Sequence, residues 1–149
     1  MPRDITEIII HCTATRGNWY ADKPVEDVVA ELTRWLTRWH VEDNKWSDCG
    51  YHYVIHSDGM VGCARPVHKS GAHCRGRNRT SIGVSLVGGR GGCKDDEFLD
   101  NFTEEQDEAL RHLIGDLKQD YPSITKISGH HDYAQKACPC FSVEDWLIG

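Results

Sequence analysis

Apolar residues recur along the chain in two rhythms. "TEIIIHCTAT", residues 6–15, contains the unbroken run Ile8-Ile9-Ile10, which suits a strand buried on both faces and ending at His11. From Asp22, an N-cap residue with Pro24 in the first turn, Val25, Val28, Val29, Leu32, Leu36 and Trp39 follow at the spacing of an amphipathic helix. "NKWSDCG", residues 44–50, reads as a loop. "YHYVIHSDGMVGCA", residues 51–64, reads as two short strands joined at Ser57-Asp58-Gly59. A further strand, "SIGVSLV" at 81–87, runs into the glycine-rich "GGRGG" of 88–92. Thr103-Glu104-Glu105-Gln106 is a capping box, and Ala109, Leu110, Leu113, Ile114 and Leu117 form the apolar stripe of the helix behind it. "SITKISG", residues 123–129, is a last strand delivering His130, and "SVEDWLIG", 142–149, a terminal helical turn or two. The order β-α-β-β-β-α-β-α predicts the α/β class, with a mixed sheet and helices packed against its faces.

At 149 residues and 39% hydrophobic, the chain is sized for one domain, 1–149, around one core. No segment approaches a membrane span, and the N-terminal residues hold neither an h-region nor a cleavage site. The expectation is synthesis and folding in a cytoplasm. Seven cysteines are an odd number without a secretion signal, so most are expected to be reduced thiols. The net charge of −6 argues against a nucleic-acid binder. Within that acidic chain Arg65, Lys69, Arg75, Arg77 and Arg79 make a basic island, which suits an anionic ligand as readily as a solvated loop.

Candidate chemistry concentrates in "GHHDYAQKACPC", residues 129–140. Catalytic zinc takes three protein ligands and leaves a fourth position open. His130 or His131 with Cys138 or Cys140 supplies two, and a third must come from elsewhere. His11 is well placed because ligand sites gather at strand ends in α/β sheets. Any one of nine histidines taken alone is more often a surface or capping residue, and a cysteine a small buried hydrophobe. Cys-x-Cys is neither a Cys-x-x-Cys redox motif nor a paired zinc knuckle.

The chain resembles the type 2 N-acetylmuramoyl-L-alanine amidases, and among them the phage endolysins, over nearly its whole length. The blocks that carry the resemblance are "IIIHCTAT", "GYHYVIHSDG" (50–59), "SGAHCRGRN" (70–78), "SIGVSLVGG" (81–89), "NFTEEQ" (101–106) and "GHHDYAQKACPCF" (129–141). Peptidoglycan recognition proteins and muropeptide amidases share parts of the pattern. The resemblance implies an amidase/peptidoglycan recognition protein-like fold with a zinc cofactor held by His11, His130 and Cys138. Tyr51 and Lys136 would assist catalysis and His73 would line the substrate groove, with His131 a neighbour of a ligand and Cys140 incidental. Some muropeptide amidases use aspartate as the third ligand, so Cys138 sides the chain with the phage enzymes and recognition proteins.

The implied reaction is hydrolysis of the amide between N-acetylmuramic acid and L-alanine of the stem peptide. Such an amide needs an activated nucleophile and a stabilised oxyanion, which zinc can supply. Lys136 suits the oxyanion, and Tyr51 can donate or accept a hydrogen bond there. No His-Glu-x-x-His motif is present, so no glutamate is assigned as base. Arg75, Arg77 and Arg79 are candidates for stem-peptide carboxylates. Trp19, Trp35, Trp39 and Trp46 offer faces for sugars, although Trp35 and Trp39, four apart, suit the flank of the first helix. The rival reading is a non-catalytic peptidoglycan-binding module, which loss of the cysteine ligand would mark; Cys138 favours the enzyme. The implied partners are peptidoglycan and a holin-like protein that admits a monomeric enzyme to the periplasm. A phage member of the family also inhibits its phage's RNA polymerase through residues near its N-terminus. This chain begins ten residues before His11, and that role is left open.

Overall fold

A computed structural model describes residues 3–16, 23–31 and 50–148. Its five strands are β1 (Glu7–Cys12), β2 (Tyr53–Ile55), β3 (Val61–Cys63), β4 (Ser81–Leu86) and β5 (Lys126–Gly129). Residues 25–31 are helical and are called α1; α2 (Phe98–Asn101), α3 (Glu104–Asp120) and α4 (Val143–Ile148) follow. The strands form one sheet in the order β3-β2-β4-β1-β5. β1 runs parallel to both β4 and β5, β2 runs parallel to β4, and β3 closes an antiparallel hairpin on β2. The mixed α/β sheet expected from the element order is thus present. Asp22, Leu32, Leu36, the four tryptophans named above and Cys49 lie outside the described residues.

Alternation along the strands gives the sheet two unlike faces. Ile8, Ile10 and Cys12 of β1 share one face with Ile82, Val84 and Leu86 of β4 and Ile55 of β2. Against it pack Leu110, Ile114 and Leu117 of α3, Phe98 of α2, Val143 and Trp146 of α4, and Phe102 and Phe141. Burying each large apolar side chain there contributes about 1.5–3 kcal/mol, so this face carries the stability. The opposite face mixes the buried Ile9 and Val54 with many polar side chains and is equally closed. Glu7, His11, His52, His56, Ser81, Ser85 and Ser128 are all at most 3% exposed.

Buried polar groups are best tolerated where they are paired, and among the described residues the His56 ring and the Ser85 hydroxyl are the side-chain groups on this face without a hydrogen-bond partner. His52 accepts from the backbone N–H of Gly83 at 3.0 Å through Nδ1 and donates from Nε2 to the carbonyl of Lys69 at 2.8 Å. Glu7 accepts from the hydroxyls of Ser128 and Tyr133. The basic island is tied down by Arg3, which donates to the carbonyls of Val67, Asn78, Arg79 and Ser81.

The capping box does more than start α3. Thr103 accepts from the N–H of Gln106 at 3.1 Å, and Gln106 returns the bond through its carbonyl oxygen at 3.0 Å. The Gln106 amide then donates to the carbonyls of Ile55 and Val87, pinning the helix start to the ends of β2 and β4. One boundary and one element depart most from the sequence reading. The last strand begins at Lys126 rather than at 123, because Ile124 N–H closes a turn on the Tyr121 carbonyl. α2 was not expected; its four residues bury one side chain, Phe98, which leaves no periodic signal.

Candidate metal centre

Parallel pairing places the candidate ligands. Ile10 of β1 is opposite Gly129 of β5, so His11 and His130, the next residues along, emerge side by side at the carboxyl ends of neighbouring strands. Their ring centroids are 4.5 Å apart. His130 opens a 3-10 turn, His130–Asp132, held where the Asp132 carboxylate accepts from Gly129 N–H at 3.0 Å. The chain then returns through residues 133–138, and the Cys138 carbonyl accepts from His131 N–H at 2.8 Å. This return sets the Cys138 sulfur 3.1 Å from the backbone N–H of Cys12 and 4.0 Å from His11 Nδ1.

The ligand atoms of His11, His130 and Cys138 all lie within 4.8 Å of one another, the one such group among the described residues. Tetrahedral zinc, with bonds of about 2.0 Å to nitrogen and about 2.3 Å to sulfur, spaces its ligand atoms about 3.3–3.8 Å apart. The donor set fits that ion with small adjustments of side chains. Its chemistry fits too, because a ligating imidazole must be neutral. Burial pushes the His11 pKa well below its ordinary value, helped by charge repulsion from His73, His130 and Lys136. His130 is lowered by burial and by the Lys136 ammonium.

The remaining candidates divide by position. The Tyr51 ring lies 5.2 Å from that of His11, and the exposed Lys136 is near enough to act electrostatically on both histidines. His73, which the resemblance assigns to the groove, is 7% exposed and sits behind His11, its Nδ1 2.8 Å from His11 Nε2. Arg75, Arg77 and Arg79 are exposed, and the Arg77 guanidinium lies 4.3 Å over the Tyr133 ring. His131 lies outside the ligand group and approaches the Ala137 carbonyl through Nδ1 at 3.4 Å. Cys140 is buried with its sulfur 4.0 Å from that of Cys12, and burial pushes its pKa up to about 12. The Cys12 thiol is pushed up in pKa, first by its hydrogen bond to Cys138 and then by burial, and it lies outside the ligand group.

Three contributors escaped the sequence reading: the Cys12 N–H, Ser81, whose hydroxyl lies 3.2 Å from His73 Nε2, and Gly83, whose missing Cβ leaves room for the His73 ring. A signal for the last two existed. In "SIGVSL" small or polar residues alternate with Ile82, Val84 and Leu86, the mark of a strand with one face reserved for something other than core.

Residues 1–141 match the family model described as N-acetylmuramoyl-L-alanine amidase. The chain belongs to the N-acetylmuramoyl-L-alanine amidase family. The endolysin of Enterobacteria phage K11 is 37% identical over 145 residues, covering 97% of this chain and 87% of that one. The endolysin of Enterobacteria phage T3 is 40% identical over 148 residues, with the same coverage. Among solved structures, the endolysin N-acetylmuramoyl-L-alanine amidase of Clostridium intestinale superposes with a TM-score of 0.70 at 25% identity, covering 99% of this chain and 87% of that one.

Proposed function

We propose that this amidase is zinc-dependent and cleaves the bond between N-acetylmuramic acid and the L-alanine of the peptidoglycan stem peptide. The observation that carries the reading is the convergence of His11, His130 and Cys138 at adjoining strand ends in a chain of this family. When bound, zinc supplies Lewis acidity that polarises the scissile carbonyl and makes water a competent nucleophile near neutral pH.

The chain's own residues do the rest. His11 and His130, kept neutral by burial, offer lone pairs, and the Cys12 N–H stabilises negative charge on the Cys138 sulfur. Lys136 carries its charge beside the two histidines, where it stabilises the oxyanion that develops as the carbonyl is attacked. Tyr51, next to His11, orients the attacking water or the carbonyl oxygen by a hydrogen bond. Arg75, Arg77 and Arg79 offer exposed guanidiniums to stem-peptide carboxylates. The enzyme is made in the host cytoplasm and reaches peptidoglycan once a holin-like protein has opened the membrane. No helix among the described residues is long and apolar enough to cross a membrane.

Digestion of purified peptidoglycan tests the reading, with products weighed by mass spectrometry. Stem peptides with a free L-alanine amine are expected, lost on chelation and restored by zinc. Glycan fragments with intact stems would sink the bond assignment, and full activity in chelator would sink zinc dependence. In the same assay Lys136→Met is expected to lower kcat by about 10²–10³-fold with metal content unchanged. A kcat within threefold of the parent would remove Lys136 from the oxyanion role.

A further inference from the structure

His73 uses both ring nitrogens inside the protein, and the direction of each hydrogen bond can be worked out. The Ser81 hydroxyl lies 2.7 Å from the Arg77 carbonyl, which can only accept, so its one proton points there. Ser81 Oγ also lies 3.2 Å from His73 Nε2, and with its proton committed it accepts. His73 therefore carries its proton on Nε2 and presents a lone pair at Nδ1. That lone pair faces His11 Nε2 at 2.8 Å, so His11 Nε2–H is the donor. The neutral His11 ring is left with its lone pair on Nδ1, the nitrogen 4.0 Å from the Cys138 sulfur.

Two further features hold His73 in this position. Asn78 Oδ1 accepts from the N–H groups of both His73 and Cys74 at 2.9 Å, fixing the backbone beneath the ring. Gly83, in the middle of β4, clears the space: a Cβ there would fall 2.6 Å from His73 Cγ and 2.8 Å from its Nδ1. The ring thus lies flat against a strand that lacks a side chain at that point.

We infer that Ser81 and His73 form a hydrogen-bond relay that sets the His11 tautomer and aims its Nδ1 at the cation, making His73 a positioning residue. The relay deepens the zinc reading and rests on it for its purpose, since a ligand ring with its other nitrogen anchored cannot swivel away from the ion. Its geometry belongs to the protein alone.

Nuclear magnetic resonance on the metal-free, 15N-labelled protein tests the geometry. The expected result is a proton bonded to His11 Nε2, with a 15N–15N coupling across the hydrogen bond to His73 Nδ1. A proton found on His73 Nδ1, or no coupling between the two rings, overturns the relay whatever the metal does. Zinc competition against a chelator then tests its purpose. His73→Ala is expected to weaken zinc binding about 10–100-fold, and His73→Asn, whose carbonyl oxygen can accept in place of Nδ1, to recover part of the loss. Equal zinc affinity in the parent and His73→Ala overturns the positioning role. A parent protein that binds no zinc instead sinks the metal reading and leaves the coupling to decide the hydrogen bonds.

Discussion

Cys138→Ser is expected to abolish stoichiometric zinc binding and to lower amidase activity on the order of 10³-fold or more, because in the proposed mechanism the metal would activate the water and share the oxyanion's charge with Lys136. Serine keeps the size of the side chain and can still accept from Cys12 N–H, so the loop geometry has no reason to change. What changes is the donor: a hydroxyl is not deprotonated at neutral pH and is a poor partner for zinc beside two imidazoles. Metal content by elemental analysis, activity and a urea unfolding curve should be recorded on one preparation. A variant that keeps one zinc per chain and full turnover would remove Cys138 from the site. A loss of activity accompanied by a large drop in unfolding midpoint would point to a packing role instead.

Why the sequence could suggest Cys138 beside the histidines but not the contact of His73 with His11 follows from how each is placed. The elements set by neighbouring residues could be read directly: the Ile8-Ile9-Ile10 strand, the Asp58-Gly59 hairpin and the Thr103 capping box all reappear. His11, His130 and Cys138 came from motif resemblance, because the 119 to 127 residues that separate His11 from the other two carry no periodic signal. Their convergence depends on β1 lying between β4 and β5, a long-range pairing that no local pattern specifies. His73 depends on still more. Its partner is fixed by the loop that Arg3 and Asn78 hold down, and its room by a glycine on a different strand. A histidine in "GAHC" looks the same in sequence whether it faces a groove or the ring of another histidine.

The burial that keeps these histidines neutral has a thermodynamic consequence in the metal-free protein. The His73 pKa is lowered to about 3, first by desolvation and then by repulsion from His52, His130, Arg3 and Arg65. The unfolded chain retains the ordinary value near 6.5, so below that pH it binds a proton that the native state refuses. Stability must then fall as pH falls, by about 1.4 kcal/mol per unit from His73 alone, through a window from about 6.5 down to about 3. Between pH 7 and 5 that is about 2 kcal/mol, a large share of a typical total of about 5–15 kcal/mol. His11 and His130 are shifted in the same direction and steepen the slope. Urea unfolding of chelator-treated protein at pH 7, 6 and 5 reads the slope directly. His73→Asn, which has no proton to gain, should flatten it, whereas an unfolding free energy that does not change from pH 7 to 5 would mean that His73 is charged or solvated in the folded protein.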